Sequence, residues 1–218
     1  MSLTFLQLQQ LTSDWVDDPE NGYFGLDLLK IRLNLAAKEL QKRLISANKS
    51  YYAKCLETVT VSGQQPYAVP SDFLQILKLE IITQGSGVTA ETKELEKITT
   101  WQKQLIPWRS GIPEAYYFQK DNIMLWPVPN SVKTLRLEYS YIIEDMVDDD
   151  DEPDAPEIFH EYIAVLATRD CLLKDRREIL SISAKLGWYE ELFKQVAQQR
   201  FADGNDRVTV TSGGYGDI

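Results

Sequence analysis

The chain has 218 residues, of which 44% are hydrophobic, and a formal net charge of −10. A chain of this size and composition is expected to form one domain, or one domain with an insertion. No run of about 18 apolar residues occurs, which argues against a membrane span, and the first residues lack the features of a signal peptide. We therefore expect synthesis in a reducing cytosol, with Cys55 and Cys171 as free thiols.

The negative charge is concentrated in one segment. Of the 33 acidic residues, nine lie between Glu144 and Glu157, where there is no basic residue. The rest of the chain has 24 acidic and 23 basic residues and is therefore nearly neutral. Because affinity for nucleic acid depends on clustered Lys and Arg, the composition argues against tight DNA binding.

Two helices are predicted at the start of the chain. Apolar residues between Leu3 and Val16 indicate a short helix, which ends before Pro19 because residues preceding proline avoid helical geometry. A longer helix is predicted from about Gly25 to Cys55. Its apolar residues recur at three- and four-residue steps, which places them on one face: Leu26, Leu29, Leu33, Ala36, Leu40 and Leu44.

The middle of the chain has the composition of β-structure. β-branched residues predict strands at Thr58–Val61 and Ile76–Thr83, and Glu91–Lys103 is predicted as a short polar helix. Tyr116–Leu125 and Thr134–Ile143 are predicted as two antiparallel strands that pair across the proline-containing segment between them. The second of these has the strongest alternation of apolar and polar residues in the chain.

Two further helices are predicted after the acidic segment. Pro156 is expected to be the first residue of a helix that runs to near Cys171. Its apolar residues are too many for one narrow face, so this helix should be buried on more than one side. Another helix is predicted from about Arg177, followed by a glycine-rich tail that contains a strand candidate at Val208–Val210.

The order of elements predicts an α+β, mainly helical fold. We expect an antiparallel four-helix bundle with an inserted small antiparallel β domain and an extended C-terminal tail. The predicted parts are residues 1–56, 57–143, 144–157, 158–201 and 202–218. They correspond to the N-terminal helices, the β-rich insertion, an acidic connector, the C-terminal helices and the tail.

Few residues could support catalysis. His160 is the one histidine, which excludes most triads and double-histidine metal sites, and no P-loop motif occurs. The acidic run beginning at Asp148 fails as a calcium-binding EF-hand, because Pro153 and Phe159 occupy the positions that require glycine and an acidic residue. We therefore predict a protein that is not an enzyme, with no catalytic, cofactor-binding or metal-binding residues. A metal-dependent hydrolase that uses Asp148–Asp151 remains as an alternative.

Several motifs in order resemble head-to-tail adaptor proteins of tailed bacteriophages. The resemblance is strongest over Gly111–Cys171, and it departs from the family pattern in the long Asp148–Asp151 run and in the tail. The motifs are Pro66–Phe73, Gly111-Ile112-Pro113, Tyr116-Tyr117-Phe118, Asn122–Pro129, Tyr139-Ser140-Tyr141 and Pro156–Tyr162.

This resemblance implies a structural protein of the virion at the head–tail interface, made in the cytoplasm of a bacterial host. It implies a homo-oligomeric ring, usually of twelve copies, that lies below the portal protein. The helices would build the ring, and the β domain would face downstream tail or nozzle proteins. The C-terminal segment would reach the portal, and DNA would pass through the lumen without specific binding.

The residues expected to contact a partner are therefore placed in and just before the tail: Phe201, Arg207, Val208, Val210 and Tyr215. Three alternatives to this interpretation remain open. The tail could be a terminus with no role, the chain could be another tail-completion or ring component that does not touch the portal, or it could be a host-cell scaffold unrelated to viruses.

Overall fold

The computed structural model describes residues 2–20, 22–84, 91–99, 102 and 109–201. The chain divides into two compact units. One, the β unit, spans Lys49–Ile143, and the other, the helical unit, is made of the residues on either side of it.

The described part of the helical unit contains four α-helices: α1 Phe5–Trp15, α2 Leu26–Ala47, α3 His160–Lys174 and α4 Leu180–Phe201. A 3-10 helix, Glu157–Phe159, precedes α3. The helix predicted between Leu3 and Val16 is confirmed, and a capping box between Thr4 and Gln7 fixes its start. The second helix starts as predicted but ends at Ala47, well before Cys55.

Helix α3 forms the core of the helical unit. It packs against α1, α2 and α4, and the residues from Tyr162 to Ala167 are all fully buried. The prediction that this helix is buried on more than one side is confirmed. Its ends differ from the prediction, because Pro156 lies before the 3-10 helix, α3 continues to Lys174, and the next helix begins at Leu180 rather than near Arg177.

The described part of the β unit contains ten strands. They are β1 Ala53–Val59, β2 Pro66–Ala68, β3 Phe73–Gln84, β4 Glu91–Glu94, β5 Glu96–Lys97, β6 Ser110–Gly111, β7 Ala115–Gln119, β8 Asn122–Trp126, β9 Val128–Pro129 and β10 Thr134–Tyr141. The first sheet has the order β1-β10-β3-β4 and is antiparallel throughout. The second sheet has the order β2-β8-β7-β5, and β6 pairs with β9. The β5–β7 and β6–β9 pairs are parallel.

The two four-stranded sheets share one apolar cluster. From the first sheet it takes Leu79, Ile81, Leu135, Leu137 and Tyr139, and from the second Tyr67, Tyr116, Ile123 and Leu125. Because neighbouring residues of a strand point to opposite faces, the other face of the first sheet carries the alternate residues, which are mainly polar apart from Ile82 and Val59. There Arg136 lies between Glu57 and Glu80 and bonds Glu57 through Nε at 2.8 Å.

The predicted fold class is wrong. Ten strands in three sheets are not a small insertion, and two of the strand pairs are parallel. The helices do not form a four-helix bundle either. In a bundle each helix contributes one apolar stripe to a shared core, whereas here α3 is itself the core and the other three helices pack around it.

Two local predictions in the β unit are also wrong. Within Glu91–Lys103, the residues Glu91–Glu94 and Glu96–Lys97 are strands rather than a helix. Tyr116–Leu125 is not one strand but the hairpin of β7 and β8, which turns at Lys120 with a positive φ of 53°. The β10 strand pairs with β1 and β3 instead. The strand predicted at Ile76–Thr83 is confirmed as part of β3.

Candidate assembly surfaces

The predicted contact residues lie at the end of the described chain. Phe201 is the last residue of α4. Arg207, Val208, Val210 and Tyr215 lie outside the described residues. The structure therefore shows that α4 leads directly into the predicted contact segment.

The acidic connector follows one row of side chains on α2. Asp145 forms an ion pair with Lys38, with 2.6 Å between Nζ and Oδ1, and Asp149 lies 3.6 Å from Nζ of Lys30. Between them, the Asn34 side chain donates to the carbonyl of Met146 at 3.0 Å and accepts from its N–H at 2.9 Å. Residues 30, 34 and 38 are spaced by four and so share one helix face. The connector is thus held along α2 and is not a freely solvated loop.

The same connector also covers the start of α1. The N–H groups of Phe5 and Leu6 donate to the carbonyls of Asp151 and Asp149 at 2.7 and 3.0 Å. These two groups belong to the first turn of the helix, where backbone N–H groups have no partner within the helix. The connector therefore supplies a cap to α1 and ties it to α2.

The Asp151 carboxylate, unlike that of Asp149, bonds to the backbone of the connector itself. Asp151 accepts hydrogen bonds from the N–H groups of Val147 and Asp148, which lower its pKa. Within the described ranges, no group of three His, Cys, Asp or Glu side chains is arranged to hold a metal ion. The hydrolase alternative thus receives no support from this geometry.

His160 forms structural hydrogen bonds at the start of α3. It is 2% exposed, its Nδ1 accepts from the N–H of Leu3 at 3.1 Å, and its Nε2 lies 3.0 Å from the carbonyl oxygen of Ala155. Because Nδ1 accepts, Nε2 must carry the proton and donate. Both ring nitrogens are therefore engaged with the backbone.

A network of charged residues joins α2 to α3. The Glu39 carboxylate accepts from Arg169 at 2.9 Å and from Arg43 at 2.8 Å, and Arg43 also donates to the Tyr162 hydroxyl at 2.7 Å. The hydrogen bond from Arg169 is the main cause of a lowered pKa for Glu39, and the bond from Arg43 adds to it. The sequence did not indicate this network, since Glu39 and Arg169 are far apart in the chain.

The lowered pKa of Glu39 gives a pH-dependent prediction. The ionised form is favoured in the folded state, so its stabilising effect is present above the ordinary pKa of 4.5 and is lost as the pH falls through the lowered value. We expect Glu39→Gln to reduce the free energy of unfolding by about 1 kcal/mol at pH 7, because solvent screens this one-third exposed group. In urea unfolding, the difference from wild type should shrink below pH 4.5. An unchanged difference at low pH would contradict this assignment.

Several large apolar side chains of the helical unit are exposed. Ile31 and Leu35 lie four residues apart on α2 and are 57% and 49% exposed, and Val147 of the connector is 69% exposed. Exposed apolar groups close together are typical of surfaces that contact other proteins. Other exposed apolar side chains of this unit are Leu6, Tyr23, Leu26, Ile158, Leu173, Leu180 and Trp188. The apolar spacing of α2 correctly predicted its buried face except at Leu26, which is exposed, and it gave no sign of this outer face.

None of the helices in the described ranges is long and apolar enough to cross a membrane. A comparison with family models matches residues 3–213 to the SU10 adaptor protein family. No curated protein matches the chain significantly. Because the matched residues cover nearly the whole chain, the resemblance suggested by its ordered motifs is confirmed. The chain belongs to the SU10 adaptor protein family, a family of structural head-to-tail adaptors of bacteriophages.

Proposed function

We propose that this chain is the subunit of a ring that lies below the portal and joins the capsid to the tail. The family match over residues 3–213 is the observation that carries the proposal. The ring would contain twelve copies, as the resemblance implies. Its partners would be the portal on one side and downstream tail or nozzle proteins on the other.

The two units would have different tasks in this ring. The helical unit would supply contacts between copies, and the exposed Ile31 and Leu35 on α2 support this role. The β unit would face the tail proteins. Residues 202–218, together with Phe201, would reach the portal, which is supported by their position directly after α4.

The proposed ring would let DNA pass without binding or cutting it. The net charge is −10, and the connector pairs Lys30 and Lys38 with its own aspartates. Phosphate binding requires available basic groups, so this charge distribution favours passage over retention. A non-enzymatic role is supported by His160, whose two ring nitrogens are both bonded to the backbone.

Removal of the gene tests this function. Particles made without the chain should be DNA-containing heads that carry no tail, together with free tails, as seen by electron microscopy. Supplying the wild-type chain in trans should restore joined particles. Tailed particles formed in its absence would contradict the proposal. Heads that keep the proteins bound to the portal and lack only the distal part of the tail would indicate that this chain is a component that does not touch the portal.

The tail gives a separate prediction. Deleting Ala202–Ile218 should abolish binding to the purified portal, because the predicted contact residues Arg207, Val208, Val210 and Tyr215 are removed. The folded units should be unaffected, since the deletion begins after α4 ends. Co-sedimentation with the portal measures binding, and circular dichroism of the shortened chain is the control. Unchanged binding would show that the tail is not the portal contact.

A further inference from the structure

We propose that neighbouring copies of this chain pair through the edges of the first sheet, with β1 of one copy beside β4 of the next. This inference rests on the proposed ring and adds a second contact between its copies to the one proposed for the helical unit. The surface involved is part of the β unit and is distinct from the apolar side chains of α2.

Strands β1 and β4 are the two ends of the first sheet. As far as the structure describes the chain, each pairs with one strand and leaves its other edge open. All seven residues of β1 are exposed, and Leu56 and Val59 are 41% and 55% exposed. An exposed edge strand with apolar side chains is a ready site for the addition of another strand.

The directions of the strands suit a head-to-tail contact. Three antiparallel steps lead from β1 to β4, so these two strands run in opposite directions. The small rotation between copies in a large ring nearly preserves strand directions, so β4 of one copy would meet β1 of the next in antiparallel orientation. Each copy would use one edge towards each neighbour, and the closed ring would have no open edge left in this sheet.

The sheet register determines which side chains can meet. Glu94 is opposite Glu80, which is opposite Arg136, which is opposite Glu57. Cys55 lies two residues from Glu57 and therefore shares this polar face. Leu56 and Lys93 lie on the other face, because each is one residue away from a member of the polar row. If the sheet continues into the next copy, residues of the same face must be opposite each other.

Charge then selects among the registers that this rule allows. Placing Lys93 opposite Thr58 would put Glu94 opposite Glu57, and placing it opposite Lys54 would oppose two cations. Like charges directly opposite each other destabilise a strand pair. Placing Lys93 opposite Leu56 avoids both conflicts and puts Glu94 opposite Cys55.

The native thiol of Cys55 makes this register testable. In particles assembled with a Glu94→Cys chain, each copy would carry thiols at both edges, close to those of its two neighbours. A short bis-maleimide should therefore produce a ladder of linked species larger than dimers on a denaturing gel. The other cysteine, Cys171, is fully buried. Lys93→Cys is the matched control: it adds a thiol one residue away, on the opposite face, and should give little or no ladder.

A second pair of variants tests the edge pairing without a cross-linking reagent. Leu56→Lys would face Lys93 of the next copy and should reduce incorporation into particles at least tenfold. Val132→Lys places the same charge at a 68% exposed site outside the strands, so it should incorporate normally.

The outcomes separate this inference from the proposed function. Particles that contain the Glu94→Cys chain but give no ladder would overturn the edge pairing and leave the adaptor function intact. Dimers from wild type through Cys55 alone would overturn it in favour of symmetric pairing of two β1 strands. If wild-type particles do not contain the chain at all, both the edge pairing and the adaptor function would be overturned.

Discussion

Replacing Leu166 by alanine is expected to lower the free energy of unfolding by about 2–5 kcal/mol. The Leu166 side chain is fully buried in α3, the helix against which α1, α2 and α4 pack. Truncation removes apolar contacts and leaves a cavity that the three surrounding helices can only partly close. Urea unfolding of the full-length chain, followed by circular dichroism, measures the effect.

Leu173 provides the matched control in the same helix. Its side chain is 56% exposed, and Leu173→Ala should change the free energy of unfolding by no more than about 0.5 kcal/mol. Equal losses at the two positions would show that α3 is not the core of the helical unit.

Replacing His160 by alanine should lower the free energy of unfolding by about 2–4 kcal/mol. The substitution leaves two part-buried groups, the N–H of Leu3 and the carbonyl of Ala155, without their partner, at a cost of about 1 kcal/mol each. It also removes the packing of a ring that is 2% exposed, which is the second contribution to the loss. Thermal or urea unfolding of the purified variant provides the measurement.

His160→Phe separates the two contributions to this loss. It largely preserves the volume of the buried ring but removes both hydrogen bonds, so it should remain clearly less stable than wild type. If both variants were as stable as wild type, the hydrogen bonds of the His160 imidazole would not contribute to stability. A chemical role for the histidine would then need to be considered.

The helical unit was predictable where apolar spacing alone determines the structure. The start of α2 follows from the leucine spacing after Gly25, and the excess of apolar residues in α3 correctly indicated burial on several sides. The end of α2 was missed because Ala53–Val59 lacks a clear alternation of apolar and polar residues. This segment becomes β1 through its pairing with β10, and such tertiary pairing commonly overrides local propensity.

The number of strands in the β unit was underestimated for a similar reason. Glu91–Glu94 is polar and has little strand propensity, but it pairs with Glu80–Gln84 of β3. Leu95, which follows, is 3% exposed and belongs to the apolar cluster between the sheets. Pairing of distant segments, which no local pattern reveals, produced the sheets and made the predicted small insertion too simple.

The acidic connector illustrates what the sequence could not show about the candidate surfaces. Its charge gave no sign of a contact with a helix, but Asp145, Met146 and Asp149 each contact a residue of α2 more than a hundred positions earlier. The row formed by residues 30, 34 and 38 was visible in the sequence, but its partner was not. The family, by contrast, was recognisable, because its ordered motifs are local and extend along the chain.

Electron microscopy of the purified portal, with and without the full-length chain, shows directly whether the chain forms a ring on the portal. We expect an added ring directly below the portal, coaxial with its channel and with an open lumen. A portal that gains no density, or a chain that binds only to purified tails, would contradict this expectation.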